Sequence, residues 1–302
     1  MAKINSSNPN DGTQRGVGQK YWASLPEDQI ASEIMTRVED YYAFLQTSGR
    51  LNLYKRSYEF YHRSTIKGGK QVRSGQQGEY TTINVNHYRN LLKHLQVMTT
   101  QQRPAFEARA TNTDVKSQEQ TILANSLLDY YMRDMKVERY IKTAVEHALV
   151  FAEGFISVEW DATSGKAFGV HPETGAVLFD GDLAYTNYTP LDVVRDFLLD
   201  NAEQHNWYVT RSWANRYDLA AKYPELEDRI LAVPDKLETF GDTRISGFQY
   251  QESDQVAVFT LMHKPTPAMP NGRLTVCLDT DIVLNDGPLP YRELPLYRIS
   301  VS

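Results

Sequence analysis

The sequence changes its hydrophobic period within the stretch VERYIKTAVEHALVFAEGFISVEW (137–160). Up to residue 152 the apolar residues recur every three or four positions, which is the spacing of one face of a helix. After Glu153 and Gly154 the run FISVEW (155–160) is typical of a strand. This stretch therefore predicts a helix that leads directly into a sheet, and it divides a helical part of the chain from a β-rich part.

The residues before this point predict four further helices. Asn84 or Asn86 is a suitable N-cap for the third, Pro104 ends it, and Ser24-x-x-Glu27 forms a capping box before the first. PAFEARAT (104–111) alternates enough to predict a short strand. The predicted helices are 27–48, 50–63, 87–102, 114–135 and 137–152.

The third and fourth predicted helices carry apolar stripes at helical spacing, and we expect these stripes to be buried in the core of a domain. The first stripe comprises Tyr88, Leu91, Leu92, Leu95 and Met98, and the second Ile122, Leu123, Leu127, Leu128 and Tyr131.

Beyond Gly154 a period of two predicts a series of short strands. Ser212 is a candidate cap for one short helix that ends at Tyr223-Pro224, and residues 224–253 predict an acidic loop or short helix. The sequence thus predicts an α+β fold, with an N-terminal helical layer followed by a mainly antiparallel β region. We expect a flexible arm at 1–23, a helical part at 24–153 and a β-rich part at 154–302.

Composition narrows the class of protein. The chain has 302 residues, 41% of them hydrophobic, which is enough for a substantial core. It contains no apolar run near the roughly 20 residues of a membrane helix, and its start does not read as a signal peptide. The single cysteine, Cys277, excludes an internal disulfide and favours a reducing compartment.

Charge is unevenly distributed along the chain. The net charge is −6, yet residues 50–73 carry seven Lys or Arg against Glu59 alone, a local +6 that leaves −12 for the remainder. Candidate contacts for a phosphate backbone or an acidic partner are Arg63, Lys67, Lys70 and Arg73, in and beside a glycine-rich loop at 64–78. A solvated basic loop explains the same residues without a partner.

Motifs that carry catalysis are missing from the sequence. GTQRGVGQK (12–20) has glycines but not the spacing of a phosphate-binding loop, and no G-x-S-x-G marks a nucleophile. His87 and His94 are seven residues apart with no third donor in the pattern. We therefore predict no catalytic residue, no metal site and no cofactor, and we expect a structural or assembly role.

The order of segments resembles the portal, or head–tail connector, proteins of tailed bacteriophages, of the short-tailed-phage type. Two tyrosine-rich helices are followed by a helix that runs into Gln-Arg-Pro, then by paired helices that end in a Gly-aromatic strand. The matching segments are 27–48, 50–63, NLLKHLQVMTTQQRPAFEARAT (90–111), EHALVFAEGFISVEWD (146–161), TPLDVVRD (189–196), WYVTRSWANRYDLAAKYPE (207–225), VFTLMHK (258–264) and PYRELPLYRI (290–299).

This resemblance implies the wing domain of a portal subunit with its N-terminal helices, and a chain that stops before the stem and clip. It implies a virion protein at one capsid vertex, present in the host cytoplasm during assembly, where twelve copies form a ring for genome packaging and ejection. The implied partners are further copies of the chain, the major capsid protein, a tail adaptor, the large terminase and double-stranded DNA, with no membrane.

Two other classes of function remain open from the sequence. One is a nucleic-acid-binding enzyme subunit that uses the basic loop as its phosphate contact. The other is a virion scaffold or adaptor that binds proteins only. The mass of the protein in solution distinguishes a nucleic-acid enzyme subunit from a portal ring. The neighbouring genes distinguish a scaffold or adaptor from a portal.

Overall fold

The fold is α+β, as the sequence predicts. The computed structural model describes residues 20–62, 86–101, 106–110, 112–170, 177–233 and 254–301. The helices that it describes are α1 (Glu27–Thr47), α2 (Arg50–His62), α3 (His87–Thr100), α4 (Val115–Asp134), α5 (Val137–Phe151), α6 (Arg216–Lys222) and α7 (Glu227–Ala232). The first five agree with the predicted helices to within two residues at each end.

All the described strand pairs are antiparallel, and they form three sheets. The five-stranded sheet has the order β5-β6-β7-β8-β9, the three-stranded sheet has the order β10-β1-β4, and β2 pairs with β3 in a separate hairpin. The strands are β1 (Glu153–Asp161), β2 (Ala167–Val170), β3 (Val177–Phe179), β4 (Asp182–Tyr188), β5 (Val193–Val194), β6 (Trp207–Asn215), β7 (Gln255–His263), β8 (Arg273–Cys277), β9 (Val283–Gly287) and β10 (Leu296–Ser300).

The main core lies between the N-terminal helices and one face of the five-stranded sheet. Helix α1 contributes residues at four-residue steps, among them Ile30, Ile34 and Val38, and these meet alternate residues of β7 such as Phe259 and Leu261. The opposite face of β7 carries its own smaller core, which α6 and α7 cover. Both faces of this sheet are therefore covered within one chain.

Helix α5 passes into β1 through a tight junction. Ala152 adopts a left-handed conformation with φ of 69°, and Gly154 lies so close to α5 that an added Cβ would stand 2.2 Å from the carbonyl oxygen of Ala144. Only glycine fits this approach without displacing the helix. The change of period in the sequence thus marks a real turn from helix to strand.

The expectation that the central stripes are buried is wrong. Within the stripe of α3 only Leu92 is buried, and α4 has no buried residue at all. Helical spacing identifies an apolar face but does not say what covers it. The core instead draws on α1, α2, the end of α5 and the sheet.

Three local predictions are also wrong. Ser24 does not cap α1, because its hydroxyl donates to the carbonyl of Tyr21 and Pro26 occupies the N-cap. Ser212 lies within β6, and Asn215 caps α6. Residues 106–110 are in no strand. By contrast Asn86 caps α3, with its side chain accepting from the amide of Arg89.

Candidate interaction surfaces

The predicted basic contacts Arg63, Lys67, Lys70 and Arg73 lie outside the described residues. The described part of the same basic segment is α2, where Arg50 lies over the ring of Phe44 and Arg56 over that of Phe60, at 5.8 and 5.5 Å. The tyrosines of α2 serve packing, since Tyr54 and Tyr61 are buried.

A polar cluster around Glu146 fixes α3 against α2 and α5. Its carboxylate accepts hydrogen bonds from Tyr61 Oη at 2.6 Å and Lys93 Nζ at 2.9 Å. Gln96 donates to the carbonyl of Lys142 one turn away. Burial alone would raise the pKa of Glu146, but the hydrogen bonds from Tyr61 and Lys93 outweigh it and lower that pKa. The cluster determines which side of α3 faces the body of the protein.

The other side of α3 is exposed, and none of the described elements covers it. We name the exposed residues Tyr88, Leu91, Leu95 and Met98 the α3 stripe. Their spacing of three, four and three residues is the heptad spacing by which helices pair. About three turns of exposed apolar side chains are therefore available to pack against another helix.

Helix α4 presents a second uncovered surface, which we name the α4 face. It consists of Val115, Ile122, Leu123, Leu127 and Tyr130, all exposed and all on one side of the helix at about 100° per residue. Leu123 is 70% exposed and Leu127 51% exposed. The opposite side of α4 is half-buried at Leu128 and Tyr131. The helix is therefore apolar on two sides, which is typical of a helix enclosed by neighbours.

A side-chain amide, and not a strand, holds the segment that precedes α4. Asn125 accepts from the amide of Ala108 at 2.6 Å and donates to the carbonyl of Ala108 at 3.2 Å. This pair of bonds satisfies the backbone of Ala108 much as a strand partner would. Residues 106–110 form no strand, and at Ala108 the side chain of Asn125 supplies the two backbone bonds that a strand partner would make.

The hairpin of β2 and β3 adds a third exposed apolar surface. Phe168, Val170, Val177 and Phe179 are all exposed, and a two-stranded hairpin is marginally stable by itself in water. The described part of the chain thus has three exposed apolar surfaces, and contiguous surfaces of this kind mark contact sites for other proteins.

The buried charges of the chain are paired and structural. Arg211 bonds Asp192 through Nε and Nη2, and Arg195 contacts Glu153 at 2.6 Å. Arg273 holds Asp286 through two bonds and also donates to the carbonyls of Ala23 and Leu25. Each pair joins segments distant in sequence, so these charges stabilise the fold and leave little charge for a ligand.

One cleft of about 350 Å³ opens beside α1. Arg37, Arg195, Asp40 and Asp196 line it, together with aromatic rings that include Trp22. The formal charges of these four side chains balance, so the lining does not favour one sign of ligand charge.

The described residues contain no group of three or more His, Cys, Asp or Glu that could hold a metal ion. His87 and His94 are both exposed on α3, and Cys277 is buried. Among the residues described, no helix is long and apolar enough to cross a membrane.

Comparison with known proteins assigns no family. No protein-family model matches the chain, and no curated protein matches it. Sequence reasoning assigned Ile122, Leu123 and Leu127 of the α4 face to the core and did not identify them as a candidate contact surface. Helical spacing gives no signal that separates the two, because burial depends on which elements lie opposite the helix.

Proposed function

We propose that this protein is a structural subunit of a phage portal ring, the conduit through which the genome enters and leaves the capsid and to which the tail attaches. The observation that carries the proposal is the order of segments between residues 27 and 299, which follows the layout of portal wing domains. The α+β fold agrees with that layout.

The uncovered surfaces support an assembly role. The main core and the smaller core of the five-stranded sheet are complete within the chain, yet the α3 stripe and the α4 face remain exposed. Surfaces of this kind mark contact sites for other proteins. A ring places such a surface of each subunit against the next subunit, so every copy is covered.

The charge balance suits a conduit for DNA. Outside residues 50–73 the chain carries −12, and negative charge repels the phosphate backbone, so DNA passes without being held. In this function the basic residues Arg63, Lys67, Lys70 and Arg73 contact an acidic partner or DNA locally.

Electron microscopy of the purified protein tests this function. We expect closed rings with a central opening wide enough for duplex DNA, and no cleavage of DNA when Mg²⁺ or Mn²⁺ is added. Monomeric particles with metal-dependent cleavage would instead identify a nucleic-acid enzyme. Monomers that bind the capsid protein without forming rings would identify an adaptor.

A further inference from the structure

The α4 face needs a partner on physical grounds. A helix in water gains most of its stability from packing an apolar side, and α4 extends over 20 residues without one buried residue. Its five exposed apolar side chains together present on the order of 400 Å² of apolar surface. One side of a standard interface, at about 800 Å² and a little over half apolar, contains about the same amount.

The chemistry of α4 selects a protein as that partner. Leucine and isoleucine offer nothing to a phosphate backbone. A lipid surface favours helices with many Lys and Arg beside the apolar face, whereas α4 has Lys116 and Arg133 against Glu119, Asp129 and Asp134. A helix with this composition fits another protein helix.

The α3 stripe on another copy of the chain has matching features. Its exposed side chains have the spacing of a helix-pairing seam, as do Leu123, Leu127 and Tyr130 on α4. Helix α3 carries Arg89 and Lys93 without an acidic residue, whereas α4 carries one more acidic than basic residue. Lys93 pairs with Glu146 on the inward side of α3, and Arg89 lies over the ring of Tyr61. These charges therefore add little to the contact, and the apolar side chains provide its stability.

We propose that α4 of one copy packs on the α3 stripe of a second copy. This contact joins two different surfaces, so it is heterologous and repeats from copy to copy. In the proposed portal ring, this contact lies between neighbouring subunits. The inference rests on the proposed function only for the statement that the series of copies closes into a ring.

The first test compares two exposed leucines. Leu123→Glu places a charge in the α4 face, whereas Leu53→Glu places one on α2 at a site that is 61% exposed and outside both surfaces. We expect Leu123→Glu to raise the protein concentration required for assembly at least a hundredfold, and Leu53→Glu to change it less than threefold. Sedimentation velocity measures the assembly, and circular dichroism confirms that both variants are folded.

The second test is disulfide cross-linking through introduced cysteines. The one native cysteine, Cys277, is buried, so an added surface cysteine is the reactive one. We expect an oxidised mixture of Leu91→Cys and Leu127→Cys proteins to form a mixed disulfide dimer, with far less dimer from either variant alone. A dimer formed as readily by Leu127→Cys alone means that α4 meets α4, which overturns the proposal.

The outcomes separate this inference from the portal function. A ring that is indifferent to Leu123→Glu overturns the inference and leaves the portal function standing. A mixed disulfide in an assembly that is not a ring supports the inference and removes the portal. A wild-type monomer at every concentration overturns both. Assembly that occurs only when capsid protein is added overturns the inference that α4 binds a second copy of the chain.

Discussion

Gly154 allows the chain to pass from α5 into β1 with the two elements in close contact. An added methyl group would collide with the Ala144 carbonyl, so β1 would have to move away from α5. We expect Gly154→Ala to lower the free energy of unfolding by about 2 kcal/mol, in the range of other overpacking substitutions. Urea unfolding measures this value.

Gly169 provides the matched control for that substitution. It lies in β2 with nothing within 4 Å of an added Cβ. We expect Gly169→Ala to change the free energy of unfolding by less than about 0.5 kcal/mol. Equal losses in the two variants would show that the close approach of α5 and β1 is not the cause.

Arg273 is the second residue with a large expected effect. It joins β8 to Asp286 in β9 and to the segment before α1, and it is buried. We expect Arg273→Met to cost about 3 kcal/mol, because the carboxylate of Asp286 loses its charged partner and keeps only the hydrogen bond from the hydroxyl of Thr275. The double variant Arg273→Met/Asp286→Leu should recover part of that loss in thermal or urea unfolding. No recovery would mean that the bonds to Ala23 and Leu25 account for the whole effect.

His205 makes stability depend on pH. Its ring is buried, neither ring nitrogen has a hydrogen-bond partner among the described residues, and burial together with Arg195 lowers the pKa of His205 from 6.5 to about 4. Below pH 6.5 the unfolded chain binds a proton that the folded chain does not. Stability from this residue is therefore present above pH 6.5 and is lost as the pH falls towards 4.

His205→Leu isolates that contribution. The wild type should lose up to about 3 kcal/mol more than the variant between pH 6.5 and 4, as measured by urea unfolding at each pH. The difference between the wild type and the variant removes the contribution of the carboxylates to the pH dependence, because they titrate in both proteins. Parallel curves for the two proteins would show that His205 is protonated in the folded state as readily as in the unfolded state.

At the scale of elements, Asn125 couples α4 to the segment before it. Its amide forms two bonds to Ala108, one as donor and one as acceptor. We expect Asn125→Ala to increase amide hydrogen exchange at Ala108 about fivefold, as expected for the loss of about 1 kcal/mol of bonding. The helix content should change little, because α4 forms its own backbone bonds.

Asn125→Asp is the graded control. The carboxylate still accepts from the amide of Ala108 but cannot donate to its carbonyl, so exchange should lie between the wild type and Asn125→Ala. Exchange that is unchanged in both variants would show that another group protects Ala108.

Sequence reasoning works well at this scale for element bounds. The periods of α1 to α5 and the cap at Asn86 are local properties, and the structure confirms them. Three features were not predicted. The first is a local bond that competes with the capping box, and the other two depend on contacts with residues farther away in the sequence. Ser24 bonds Tyr21 and does not cap α1, Asn125 replaces a strand partner at Ala108, and the stripes of α3 and α4 face outward.

The candidate surfaces show the same division. Composition identified a basic segment at 50–73, and helical spacing identified apolar stripes on α3 and α4. Neither shows whether those stripes are buried, because burial depends on the whole fold. The stripe of α1, at helical spacing like the others, is buried because the sheet lies opposite it. The stripe of α4 has no such neighbour within the described residues, and this difference makes it the best candidate for a contact between subunits.

In the whole molecule, a complete core contrasts with helices that expose apolar side chains. The sheet with α1 and α2 encloses the core of one chain, whereas α3, α4 and the hairpin of β2 and β3 expose apolar side chains. Apolar surface of this extent favours association. A subunit of a larger assembly explains both halves of the contrast.

Native mass spectrometry of the purified protein distinguishes a ring of subunits from a monomer. The chain has a mass of 34.6 kDa, and we predict a single closed assembly at a high multiple of that mass, twelve copies in the portal that the sequence resembles. A ladder of open multiples would contradict closure. A mass of 34.6 kDa at every concentration and ionic strength, with and without the capsid protein, would contradict the ring itself.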